Sequence, residues 1–393
     1  RVVDWGAAEV LFRHVFVNEI KVGSHPNHTV LVTEAPFSAE KYRTRLCRIF
    51  FEKFRLPSLG IANRGTMALF DSGSATGVVL ITSGDVSHAV PVYKGLALKH
   101  ATISSEIAGG TITEVMARCL RIMDDKEFFM KKAWAPVVSE IKDQSCFVLS
   151  SSGRQALIQD FVNVRQETQA RMKELETMLE ASKLEAKIDE EIKINEQPAE
   201  KKQHRVSVVT KLGEAMKKNR KKNMKKKARQ QLSSEKSNLK VDDEMLYELP
   251  IGKEGKIISI HDSLRCVLPE VLFAPQSILG NHNKELGLSD LVFRSIKMCD
   301  SGLESMLVQN IVLAGEATEL PGFSGRLKTE VENAYKEILD KSDEIVVRSD
   351  LRRRDGAWRG GSMFATLPTF ATNIRFSREK FFQDEKIVLK QYF

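Results

Sequence analysis

Residues 77–91 read Gly77-Val78-Val79-Leu80-Ile81-Thr82-Ser83-Gly84-Asp85-Val86-Ser87-His88-Ala89-Val90-Pro91, and the fold is decided here. The run Gly77-Val78-Val79-Leu80-Ile81 is short, apolar and mostly β-branched, which predicts a strand buried on both faces. Ser83-Gly84-Asp85 then supplies turn chemistry. Upstream, Val30-Leu31-Val32 predicts a second buried strand. Between them, Leu46, Ile49, Phe50 and Phe54 recur at helical spacing from Lys41 to Phe54, and Leu56-Pro57 stops that helix. Residues 1–150 therefore read as a mixed α/β domain in which helices and strands alternate.

Downstream the character changes. From about 164 to 196, Met172, Leu175, Leu179, Leu184, Ile188 and Ile192 recur every three to five residues among charged side chains, which predicts a long amphipathic helix ended by Pro198. From there to about 240 the chain is Lys-rich and too poor in apolar residues to pack a core. Ordered patterning resumes at Tyr247-Glu248-Leu249-Pro250, with Lys256-Ile257-Ile258-Ser259-Ile260 as a strand, and continues to Phe393. Two α/β portions thus flank an insertion. No internal period suggests a solenoid.

Composition narrows the function classes. At 393 residues and 42% hydrophobic, the chain buries enough for two or three packed units. No stretch approaches the roughly 20 apolar residues of a membrane span, so a membrane partner is not expected. Cysteines 47, 119, 146, 266 and 299 form no close pairs, which excludes zinc-type spacing and a disulfide framework and fits a reducing compartment. The formal charge of +8 is local. Nine Lys and Arg residues in 217–229 exceed it, leaving the remainder nearly neutral.

Six segments carry a resemblance. Thr33-Glu34-Ala35-Pro36, the 77–91 stretch, Tyr247-Glu248-Leu249-Pro250, Val312-Leu313-Ala314-Gly315 through Pro321-Gly322, Ala357-Trp358-Arg359-Gly360-Gly361-Ser362 and Leu367-Pro368-Thr369-Phe370 follow an order and spacing similar to actin and the actin-related proteins. The tail ending at Phe393 also resembles that family's C-terminus. The resemblance implies an α/β fold of the actin-like ATPase (ribonuclease H-like) type, with two lobes and an inserted helical or disordered segment. On that reading 1–72 and 321–393 form a partial subdomain 1, with subdomain 2 missing, and 73–153 and 250–320 form subdomain 3. Residues 154–249 form the subdomain 4 region, with the insert at about 164–240. The family's first phosphate loop would precede Arg1, so the chain reads as an N-terminally incomplete member. Thr33-Glu34-Ala35-Pro36 matches as a strand end and turn, not as a catalytic carboxylate.

The family binds ATP between two similar domains, with phosphates on Gly-rich hairpins and a divalent ion held through water by strand-end carboxylates. Carried over, the candidates are Ser83, Gly84, Asp85 and Val86 at the phosphates, and Gly315, Glu316, Ala317 and Arg354 on the adenosine side. The implied cofactor is ATP or ADP, with Mg or Ca only if nucleotide binds. No catalytic residue and no metal ligand is assigned. The family's Asp-Ser-Gly-Asp-Gly-Val-Thr-His falls without gaps on Ile81 to His88, which replaces both aspartates. A one-residue gap restores Asp85 and still leaves Thr82 for the first. His88 matches a family His near the attacking water, while the water-orienting Gln is replaced by Arg64. The family's Ser-Gly-Gly-Thr reads Ala314-Gly315-Glu316-Ala317, which puts a repelling carboxylate where a Gly lies against the nucleotide. The family's Lys and Glu contacts have Val162 and Asn163 as nearest candidates. At most a weak ATPase is expected. A plainer reading stays open: Gly84 and Gly315 serve tight turns, Asp85 caps one, and His88 is a satisfied core residue.

The insert resembles, in position and character, those of nuclear actin-related proteins in chromatin-remodelling complexes, and Glu304 to Asn310 is similar to that group. The run 217–229 has no aromatics, so it suits non-specific, salt-dependent nucleic-acid contact, a nuclear import signal, or a solvated linker. The Met172 to Ile192 stripe suits an intramolecular seam or a partner-binding helix. Two functions follow from the resemblance. One is a scaffold or assembly subunit with a degenerate nucleotide pocket, in a nuclear complex, with other subunits as partners. The other is a divergent, ATP-binding cytoskeletal actin that polymerises with actin-like protomers in the cytoplasm. A small-molecule kinase would need a phosphoacceptor base that is not recognisable here.

Overall fold

The computed structural model describes residues 2, 4–21, 28–123, 134–149, 158, 246–251, 256–280, 282–336, 344–349 and 352–389. The Met172 to Ile192 stripe, the 217–229 run, Val162 and Asn163 lie outside them. The chain divides into two compact units: Arg1–Arg154 with Ile251–Glu254 and Leu264–Phe393, and Gln155–Pro250 with Gly255–Ser263.

In chain order the labelled elements are α1 (Trp5–His14), β1 (Thr29–Glu34), α2 (Glu40–Arg48), β2 (Ser58–Asn63), α3 (Arg64–Asp71), β3 (Gly77–Thr82), β4 (Ser87–Tyr93), β5 (Leu96–Ala97), β6 (Ile103–Ser105), α4 (Gly109–Met123) and α5 (Trp134–Ser145). They continue with β7 (Leu246–Ile251), β8 (Lys256–His261), α6 (Leu288–Lys297), β9 (Ile311–Ala314), α7 (Phe323–Tyr335), β10 (Val347–Arg348), α8 (Gly356–Ala365) and β11 (Phe376–Ser377). The mixed α/β character expected from the sequence is present. In the smaller unit, β7 and β8 pair as a two-stranded sheet at the expected positions, and Ile260 is buried.

The larger unit holds two sheets. In the first, ordered β1-β2-β11, β1 runs parallel to β2 and β11 antiparallel to it. Leu46 of α2 and Phe50 just after it pack with Leu59, Ile61, Phe376 and Phe381, while Trp5 and Phe12 of α1 and Phe16 just beyond it pack against that cluster. Two corrections arise here. Val30-Leu31-Val32 is only half-buried, because β1 is the edge strand of its sheet. Cys47 and Phe51, which the predicted spacing did not include, are also buried: Cys47 lies in α2 beside Leu46, and Phe51 lies in the π-helical turn over Ile49–Lys53 that continues α2 with a wider spacing. Arg55 then takes a left-handed conformation and breaks the helix just before Leu56-Pro57.

The second sheet runs β10-β9-β3-β4-β5, with β6 also paired to β4. Every residue of β3 is buried, as its unbroken apolar run predicts. Val79 and Ile81 pack with Val90, Val92, Val312 and Ala314 beneath Ala68 and Leu69 of α3. Val78 and Leu80 point to the opposite face by strand alternation and are fully buried too. Each such side chain contributes about 1.5–3 kcal/mol on leaving water. Helix α6 is held by Ser295, whose Oγ donates to the carbonyl of Ala101, between β5 and β6, at 2.7 Å. Among the described residues no helix is long and apolar enough to cross a membrane.

Candidate functional site

Strands β3 and β9 are parallel neighbours, with Ile81 opposite Ala314, so the turns that follow them emerge side by side. The first turn joins β3 to β4 at the Thr82 and Ser87 pair. Ser83 closes it: its backbone N–H reaches the carbonyl of Val86 at 3.4 Å and its Oγ donates to the same oxygen at 2.9 Å. The turn carbonyls are spent on the start of α4, where Gly109 N–H donates to Ser83 at 2.9 Å and Gly110 N–H to Gly84 at 2.6 Å. The amides of Gly84, Asp85 and Val86 find no acceptor among the described residues.

Gly84 is exposed, lies outside the left-handed region, and a Cβ there would meet nothing within 4 Å. No local steric demand calls for glycine. Gly315 is the reverse: its φ is 91° and ψ 157°, a region open essentially to glycine alone. A Cβ there would stand 2.4 Å from the Thr82 carbonyl. Its N–H donates to the carbonyl of Arg353 at 2.9 Å.

After Gly315, Glu316 and Arg354 come together, with the guanidinium donating to Glu316 Oε1 at 2.7 Å. Glu316 thus carries a counter-charge that offsets part of the repulsion expected of it, and Arg354 is partly committed before any adenine is considered. Both are exposed, so the pair contributes at most about 1 kcal/mol. The Arg354 amide also donates to Glu319 Oε1 at 3.1 Å, and Ala317 is buried beneath this corner.

The plainer reading holds for Gly315 and fails at three other positions. Gly84 needs no special backbone. Asp85 is exposed and makes no hydrogen bond among the described residues, the capping being done by Ser83. His88 is half-buried, and its buried Nδ1 has no partner among the described residues. Burial first, and the Arg64 charge second, push the His88 pKa down to about 4, so the ring is neutral near pH 7.

Arg64 opens α3, directly after Asn63, whose side chain caps the helix by accepting from Gly65 N–H at 2.7 Å. The residue is half-buried, and neither a carboxylate nor a hydrogen bond engages its guanidinium among the described residues. It also acts electrostatically on Tyr42, whose pKa is raised by burial and by Glu34 against the opposing pull of Arg64. In the sequence Arg64 stands only where the family has a Gln. That no carboxylate pairs with it among the described residues depends on which groups the fold brings near it, and no local pattern signals that.

These residues fit phosphate and a carboxylate-held metal unequally. Three unspent amides beside an unobstructed Gly84 suit phosphate oxygens. The donor set for a divalent ion is poor: Thr82 stands at the strand end, buried, with its Oγ1 lacking a partner among the described residues, and Asp85 sits alone on the turn. Among the described residues no three His, Cys, Asp or Glu side chains are grouped to hold a metal. Burial pushes the thiols of Cys47 and Cys146 up to about 12, which makes them poor nucleophiles. Compared with known families, the sequence model described as Actin matches residues 1–391.

Proposed function

Because the chain belongs to the actin family, we propose that it is a scaffold or assembly subunit whose altered pocket keeps a nucleotide as a structural ligand and does not turn it over. The observation that carries this reading is the end of β3: the two positions where the family's metal-linked carboxylate falls in either register, Ile81 and Thr82, hold a buried apolar side chain and a buried hydroxyl. Two neighbours support it. Arg64 replaces the water-orienting Gln with a group that has donors and no acceptor, so it cannot take up a proton from an attacking water. A His88 whose pKa lies near 4 is a weak base at neutral pH. In the same reading the basic run at 217–229 is the arm that meets nucleic acid inside a nuclear complex.

The test is a single-turnover experiment on the full chain loaded with radiolabelled ATP, with released phosphate and retained nucleotide measured together. Retained, intact ATP is expected. Stoichiometric phosphate release within the dwell time of the nucleotide overturns the reading, and so does nucleotide-dependent pelleting of the chain as a polymer.

A further inference from the structure

We propose that Arg64 is the built-in cation of the phosphate pocket, so that a nucleoside polyphosphate binds this chain without a divalent metal. The proposal rests on the reading above that the pocket holds a nucleotide, and adds how its charge is met.

Three observations converge. The first is Arg64 itself. Arg64 is a half-buried residue, and no carboxylate pairs with its guanidinium among the described residues. Other arginines nearby are engaged: Arg43 with Glu34, Arg359 with Asp71, and Arg354 with Glu316. The second is placement. Gly65, the next residue, is packed so that a Cβ on it would come within 2.9 Å of Val90 Cβ, which fixes the start of α3 against β4. Val90 and Val92 face α3, and by strand alternation His88 shares that face two residues nearer the hairpin. Arg64 therefore lies at the hairpin end of the sheet, beside a neutral imidazole with an unspent buried nitrogen.

The third is the compensating pattern of charge. The positions that would hold a metal through carboxylates are Ile81 or Thr82, depending on register, while a fixed cation occupies the former Gln position. Removing carboxylates and adding a guanidinium are complementary changes: both shift the pocket from recruiting a positive ion to supplying one. A guanidinium also offers several donors in a planar fork suited to phosphate oxygens, and the amides of Gly84, Asp85 and Val86 supply further uncharged donors. The ligand class is a nucleoside di- or triphosphate, free of metal.

The experiment is calorimetric titration of the full chain with ATP, once with excess magnesium and once with EDTA, for the wild type, Arg64→Gln and Arg64→Lys. The wild type is expected to bind with the same affinity within about threefold in both buffers. Arg64→Gln is expected to lose at least about tenfold in EDTA, with Arg64→Lys recovering part of it, which separates charge from fold. Circular dichroism and the thermal midpoint report whether each variant is folded. Wild-type binding that needs magnesium, or equal binding by wild type and a folded Arg64→Gln in EDTA, overturns the proposal and leaves the structural-ligand reading standing. No binding by the wild type in either buffer overturns both. Inorganic tripolyphosphate is titrated in parallel. Binding of it that is also lost in Arg64→Gln supports the phosphate contact, and binding that does not depend on Arg64 counts against it.

Discussion

The turn after β3 and the turn after β9 leave neighbouring parallel strands at the same end of one sheet, and each contains a glycine, but the two glycines answer different demands. Gly315 is required by the fold: its backbone conformation and the Thr82 carbonyl leave no room for a side chain. Gly84 is required by no contact among the described residues, where its turn also keeps three amides without acceptors. Two glycines in a row of family motifs are therefore separate kinds of information. One marks how the sheet is packed, and the other stands on a turn with open space around it.

The contrast can be broken most easily at its stronger end. Gly315→Ala is expected to cost about 2–4 kcal/mol in urea unfolding, from strained backbone plus the close approach to Thr82. A cost below about 0.5 kcal/mol would remove the distinction between the two turns. Next comes pH. The folded pKa of His88, about 4, lies below the ordinary value near 6.5, so the folded state resists protonation that the unfolded chain accepts. The stability this represents is intact above about pH 6.5 and is lost as pH falls towards 4. After allowing for the partial exposure of the ring, that loss is about 2 kcal/mol. His88→Gln should flatten the stability profile across that window, and an unchanged slope would place the histidine in contact with water.

Smaller effects sharpen the same comparison. Ser83→Ala removes the hydroxyl that closes the first turn and is expected to cost about 1 kcal/mol by thermal or chemical unfolding. Gly84→Ala is expected to change stability by less than about 0.5 kcal/mol. The same change should weaken ATP binding by roughly tenfold, because a methyl group would intrude where phosphate oxygens approach the amides. Loss of stability without loss of binding would reverse the roles assigned to the two glycines. Glu316→Gln breaks an exposed pair and is expected to shift stability by less than about 1 kcal/mol.

Much was legible from local pattern. An unbroken apolar run marked β3 as a buried central strand, 3.6-residue spacing marked α2, and ordered patterning was expected to resume where β7 and β8 are found. Those readings succeed because backbone geometry repeats side-chain direction over a few residues, so short-range order in the sequence carries it. Where local order changes without a local signal, the same logic erred, as at the π turn that buried Phe51 and at the edge position that left Val30-Leu31-Val32 half-exposed.

By itself, then, the sequence determined the family, the mixed α/β class and the residue types at the ends of β3 and β9. Only the tertiary structure decided what surrounds them. The constraint on Gly315 is a carbonyl on another strand, and the partner of Glu316 lies 38 residues away. Each is a contact between segments distant in the chain, and long-range contacts leave no periodicity for a local reading to detect.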